Sequence, residues 1–171
     1  MSEPDLDLIA KHNQEVGLLC SQWAYLEWLL ELANWWLLGL LNHSREGRVL
    51  TTCISIEVLA RRTTNLAHLR ITNAEDQAVL KSVADRIDAI QGERNLAVHG
   101  VRSLMPDETV LATVSRGKFK NEPQRLSLIR LASLNAEVAR ILAEIEPLLF
   151  KLGVIEGVTA ISERYKSPQQ P

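Results

Sequence analysis

The sequence predicts an all-α fold: a bundle of about four main helices with a small extended, hairpin-like insertion after the third. Two patterns carry this. Apolar residues recur at helical spacing over most of the chain, and residues that favour caps and loops bracket the periodic segments. With 171 residues, 46% apolar and 23% charged, the chain is long enough to bury one core and is not disordered in composition. We read 1–171 as a single helical domain: three long helices over 5–100, an extended excursion over 101–131, a C-terminal helix over 132–165 and a tail over 166–171.

The first helix is expected from about Asp7 to Leu41, closed by Asn42-His43-Ser44 and Gly47. Within it Glu27, Glu31 and Asn34 fall at i, i+4 and i+7 as one narrow polar stripe, while large apolar groups, including Trp23, Trp28, Trp35 and Trp36, occupy the rest of the circumference. Such a helix fits the centre of a bundle or a face shared with a second subunit. The second helix is expected over about Arg48–Leu69, with Ile54, Val58, Leu59, Leu66 and Leu69 inside and Arg61, Arg62 and Arg70 outside. Thr72-Asn73-Ala74-Glu75-Asp76 reads as an N-cap with acids in the first turn, opening a third helix to about Val98. Gly100 stands where a left-handed C-terminal cap belongs. Thr109–Val114 is β-rich, Ser115-Arg116-Gly117 has turn character, and a second extended stretch is expected over Arg125–Leu131. Helical spacing resumes from about Ser133 through Leu152, with Pro147 expected to kink or end that helix early, and an apolar segment to Ile161 is expected to pack back.

A formal net charge of −2 gives no global basic field, so nucleic-acid binding needs a local patch. Cys20 and Cys53 lack metal-ligand spacing and read as buried small hydrophobes in a reducing compartment, which makes the protein cytoplasmic. The acidic start, Met-Ser-Glu-Pro-Asp-Leu-Asp, lacks the order of a signal peptide. The apolar run from Trp23 to Leu41 contains Glu27 and Glu31, each costing roughly 2.5–3.5 kcal/mol at a membrane centre, so no membrane partner is expected. No glycine-rich phosphate loop, nucleophile elbow or HExxH spacing occurs, and no metal or other cofactor is expected. His12, His43 and His68 are isolated and read as surface or loop residues, and Arg61-Arg62 as a solvated face.

The chemistry concentrates in Glu93-Arg94-Asn95-Leu96-Ala97-Val98-His99-Gly100. The apolar face Leu80, Val83, Ala84, Ile87, Ile90 continues through Arg94 and Val98, so Arg94 points towards packed surface. Asn95 and His99, four apart, stack on one side, and Arg94 reaches over them. Arginine clamps phosphate through a planar fork, and histidine moves protons near neutral pH. His99 also lies in the last turn, where the helix dipole attracts cations. A structural account stands beside this one: a buried Arg94 takes an anionic partner, with Glu27 on the first helix the obvious candidate, and His99-Gly100 is a C-cap pair.

The run Arg94-Asn95-Leu96-Ala97-Val98-His99 resembles the Arg-x4-6-His signature, polar after the arginine, of the HEPN superfamily (higher eukaryotes and prokaryotes nucleotide-binding). Trp23-Ala-Tyr-Leu-Glu27, followed downstream by Glu-Arg-Asn-x-x-x-His-Gly, is similar to small bacterial proteins carrying such a motif, a likeness over roughly residues 20–100. The resemblance implies a helical homodimer with motif residues facing across the interface, and metal-independent RNA cleavage in toxin or defence systems, with an antitoxin or regulatory protein as a further partner. Other relatives are binding modules without activity. By this likeness Arg94 and His99 are the catalytic pair, with Asn95 their polar neighbour. The extended excursion departs from the simplest members.

Cleaving RNA without metal needs a base, an acid and positive charge on the phosphorane, and two copies of His99 and Arg94 around one two-fold cleft supply all three. The tryptophan-rich helix gives such pairing its apolar surface. Arg116, Lys118, Lys120, Arg125 and Arg130, interrupted only by Glu122, are the candidate RNA contacts, or else a solvated loop.

Overall fold

The computed structural model describes residues 6–40, 45–105, 108–112 and 126–155. The fold is all-α. Its helices among these residues are α1 (Leu6–Leu37), α2 (Arg45–Thr51), α3 (Ile56–Arg70), α4 (Ala74–His99) and α5 (Leu128–Lys151). Two short strands, β1 (Val101–Met105) and β2 (Glu108–Ala112), pair antiparallel from Val101 opposite Ala112 to Met105 opposite Glu108. The chain divides into two compact units, 1–25 with 88–140 and 26–87 with 141–171, so that α1, α4 and α5 each contribute to both.

The helix ends follow from local chemistry. α1 closes at Gly39, ahead of the expected Asn42–Gly47 loop: Gly39 takes φ +72°, its N–H donates to Trp36 O, and the Leu40 N–H donates to Trp35 O. These bonds form a Schellman cap, in which glycine bears the left-handed turn without a Cβ clash. Gly153 closes α5 the same way, at φ +75° with Val154 N–H donating to Leu149 O. Gly100, expected to hold such a cap, does not have a positive φ; the chain passes from α4 into β1. Gly47 is a buried residue inside α2. Asn73 caps α4, its Oδ1 accepting from the N–H of Glu75 (2.8 Å) and of Asp76 (3.2 Å).

The segment expected as one helix over 48–69 is two. Cys53 sits at φ +63° between α2 and α3, and Ser55 is extended at the N-cap of α3. Ile56, Leu59, Ala60, Thr63 and Ala67 are the buried face of α3, whereas Val58 and Leu69, expected inside, are 41% and 79% exposed. Cys53 is accordingly exposed in a turn rather than buried.

α5 also departs from expectation at both ends. It begins at Leu128, so 128–131 is helical and not extended, because the Ser127 hydroxyl accepts from the Arg130 N–H and starts the helix. It runs through Pro147 to Lys151; proline removes one helical donor there, but the turns on either side persist. β2 pairs with the upstream residues 101–105 and not with 125–131. The expected turn at 115–117, the tail from 166 and the apolar segment beyond Ile155 lie outside the described residues.

In the first unit the buried groups are Val16, Leu19 and Trp23 of α1, Ile90, Leu96 and Ala97 of α4, and Leu126, Leu131, Leu134 and Val138 of the α5 region. His12, expected at the surface, is 2% exposed because it shares the helical stripe of Val16, Leu19 and Trp23. Asn135 ties α5 to α1, its Nδ2 donating to Glu15 O (3.0 Å) and Glu15 Oε2 (2.6 Å).

The second unit is built on the apolar half of α1. Leu26, Leu29, Leu30, Leu32, Ala33, Trp35 and Leu37 are buried, and Trp28 and Trp36 are half-buried, so the chain itself covers most of the circumference that pointed to a second subunit. The polar stripe turns inward at its end. Asn34 is wholly buried, its Nδ2 donating to Leu30 O (2.8 Å), Thr63 Oγ1 (2.8 Å) and Leu59 O (3.2 Å), while the Thr63 hydroxyl donates to Leu59 O (2.9 Å). This network locks α1 to α3. Trp35 Nε1 donates to Thr51 Oγ1 (3.3 Å) and ties α1 to α2, while Lys151 Nζ binds both oxygens of Asp76 (2.7 and 3.0 Å) and ties α5 to the first turn of α4.

A buried donor stripped of its partner costs about 1–3 kcal/mol. Asn34→Ala is therefore expected to destabilise the protein by roughly 2–4 kcal/mol and Thr63→Val by about 1 kcal/mol. In urea unfolding the double variant should fall short of the summed losses by at least about 0.5 kcal/mol. Strict additivity would remove the network as the lock between α1 and α3.

Candidate functional site

The last turns of α4 present successive residues to different surroundings. Glu93 faces α5 and accepts a two-pronged guanidinium from Arg130, with Nε to Oε2 and Nη2 to Oε1 both 2.6 Å. Arg130 is thus raised above its ordinary pKa, first by its hydrogen bonds to Glu93 and then by the Glu93 charge. It is protonated at any physiological pH, so the pair carries no pH switch. The expected RNA contact at Arg130 would have to compete with this ion pair. Arg116, Lys118, Lys120 and Arg125 lie outside the described residues.

Arg94, one residue on, follows the buried stripe of Ile87 and Ile90 and is half-buried. Its guanidinium carbon lies 5.2 Å from the ring centroid of Trp23, which is 1% exposed. This is a cation–π contact, worth about 0.5–1 kcal/mol at an exposed site and about 2 kcal/mol when desolvated. Nη1 donates to Asn95 Oδ1 (3.1 Å), and the buried Nε has no hydrogen-bond partner. No described carboxylate of the same unit pairs with Arg94: Glu93 is taken by Arg130, and Glu15 by Asn135. Glu27, the expected anionic partner, is half-buried on α1 and belongs to the second unit.

Asn95 is half-buried, and His99, one turn further, is exposed. Arg94 and Asn95 are joined directly, while no described residue hydrogen-bonds the His99 ring. The arrangement offers a positive charge fixed on an aromatic face, an amide orienting it, and a solvent-facing imidazole. A fixed cation stabilises an anion, and an accessible imidazole exchanges protons. Among the described residues no cluster of three His, Cys, Asp or Glu side chains is placed to hold a metal ion, and no helix is long and apolar enough to cross a membrane.

Helical spacing puts Arg94 on the packed side of its helix but does not put it over Trp23, which was expected in the core or at a dimer contact. An arginine on an apolar stripe signals a buried partner without saying whether that partner is a carboxylate or a ring. No protein-family model, curated protein or solved structure matches the chain.

The Glu93–Arg130 pair is well aligned but exposed, so Glu93→Gln should cost no more than about 1 kcal/mol, and the loss should shrink as salt is raised. Urea unfolding at low and high salt measures it. A loss above about 2 kcal/mol that ignores salt would make the pair a buried anchor instead.

Proposed function

We propose that this chain is a metal-independent RNA endonuclease of the HEPN kind, acting as a homodimer in the cytoplasm, in a toxin or defence setting. The observation that carries the reading is Arg94: a half-buried guanidinium on the Trp23 ring, with no described carboxylate of its own unit paired to it, five residues before an exposed imidazole. In this reading the main helices form one bundle with 101–131 as its insertion. Arg116, Lys118, Lys120 and Arg125 add phosphate contacts, and an antitoxin or regulatory protein is the further partner.

In the proposed reaction one protomer's His99 takes the proton of the RNA 2′-hydroxyl. The oxygen attacks the adjacent phosphorus, and the negative charge on the phosphorane is met by Arg94, which Asn95 orients. The partner's His99 protonates the departing 5′-oxygen, leaving a 2′,3′-cyclic phosphate and a 5′-hydroxyl. We place the pairing on the Asn95–His99 side of α4, where His99 is exposed.

A second reading rests on the Trp23 contact itself. A cation packed on a buried ring can hold α1 to α4 in a binding module without activity, one that interacts with other proteins or with nucleotides.

Purified protein is expected to cut single-stranded RNA in the presence of a chelator. His99→Ala and Arg94→Ala should each lower the rate at least about 100-fold with helix content unchanged. Cleavage that survives both substitutions would take these residues out of the mechanism. A clear fall in melting temperature for Arg94→Ala, with no cleavage by the wild-type chain, would favour the packing role.

A further inference from the structure

A guanidinium on an apolar stripe is held either by a carboxylate, which cancels its charge, or by a surface that attracts it without cancelling it. Trp23 is the second kind. Its quadrupole draws the cation onto the ring face, and the ring carries no net charge. The 5.2 Å separation between the Arg94 carbon and the ring centroid lies within the range of such contacts, and with Trp23 only 1% exposed the ring cannot swing away to solvent. Asn95 Oδ1 fixes a second edge of the same group through Nη1. Two contacts from different directions, neither of them ionic, set the orientation without cancelling the charge themselves. The Nε is buried and has no hydrogen-bond partner, and no described carboxylate of the same unit pairs with the group.

We propose that Trp23 is the positioning residue of the site, an aromatic platform that presents Arg94 as an oriented, unneutralised cation to a phosphate group. The inference rests on the reading of Arg94 as the phosphate-binding residue, and it adds the residue that makes the arginine available. Trp23 acts through Arg94 and does not itself meet the ligand, being covered on all sides.

The test uses the full-length protein, inorganic phosphate as the probe, and the NMR signal of the Arg94 Nε–Hε group, assigned by its loss in Arg94→Lys. Protons above an aromatic face are shielded, so in the wild type this signal should lie upfield of the other arginines and shift as phosphate is added. Trp23→Phe keeps a ring and should bind phosphate within about threefold of wild type. Trp23→Leu, with unchanged helix content, should lose the upfield position and bind roughly tenfold more weakly. Should Trp23→Leu not fold, the wild-type signal and Trp23→Phe still decide. An unshielded Arg94 signal, a wild-type signal that ignores phosphate, or a folded Trp23→Leu that binds like wild type would overturn the inference. Phosphate binding that depends on Trp23 in a protein that cuts no RNA would support it and overturn the nuclease reading alone.

Discussion

The contact between Arg94 and Trp23 sets the terms for the rest of the candidate site. A charge on the buried stripe of α4 has to recover what it loses by leaving water. A carboxylate would recover most of it and silence the group. An aromatic face recovers less, and the charge stays in play. Because Trp23 is part of α1, the same contact that holds the guanidinium also sets how α1 and α4 meet in the first unit. Because Glu93 is turned to Arg130 on α5, the carboxylate nearest in sequence is withdrawn from Arg94.

Much of this helical organisation was legible in the sequence, and the misses have physical causes. The periodicity gave the helical class and the long α4, and Asn73 with the acids after it gave the start of that helix. Where the chain changes direction the pattern was silent. Cys53 in a left-handed conformation splits α2 from α3, a conformation that side chains other than glycine and asparagine rarely signal. Val58 and Leu69 fall off the packed face of α3, which runs through Ile56, Leu59, Ala60, Thr63 and Ala67. Gly39 and Gly153 carry the left-handed caps that Gly100 was expected to carry, whereas at Gly100 the chain passes from α4 directly into β1.

The candidate residues were named from helical spacing, and their contacts were not. Arg94 on the packed side and Asn95 beside it follow from helical spacing. That the guanidinium lies on the Trp23 ring does not, because finding a partner on a distant helix requires the packing of α1 itself. The narrow polar stripe was equally ambiguous. Asn34 reads as the continuation of a solvated line, yet it is the buried donor that joins α1 to α3, and only the position of Thr63 reveals this.

Helix geometry limits how two copies can bring their histidines together. Residues advance about 100° around a helix, so Glu93, Arg94 and the Asn95–His99 pair point into three sectors. The first is occupied by α5 through Arg130 and the second by α1 through Trp23. The third holds the exposed His99, so an approaching copy has that sector to enter. The exposed apolar residues Leu18 and Tyr25 lie on the side of α1 roughly opposite Trp23, so pairing through them would carry two His99 rings away from each other. In the proposed nuclease, therefore, pairing along the Asn95–His99 side of α4, and not through Leu18 and Tyr25, is the arrangement that would put an acid and a base on one phosphate.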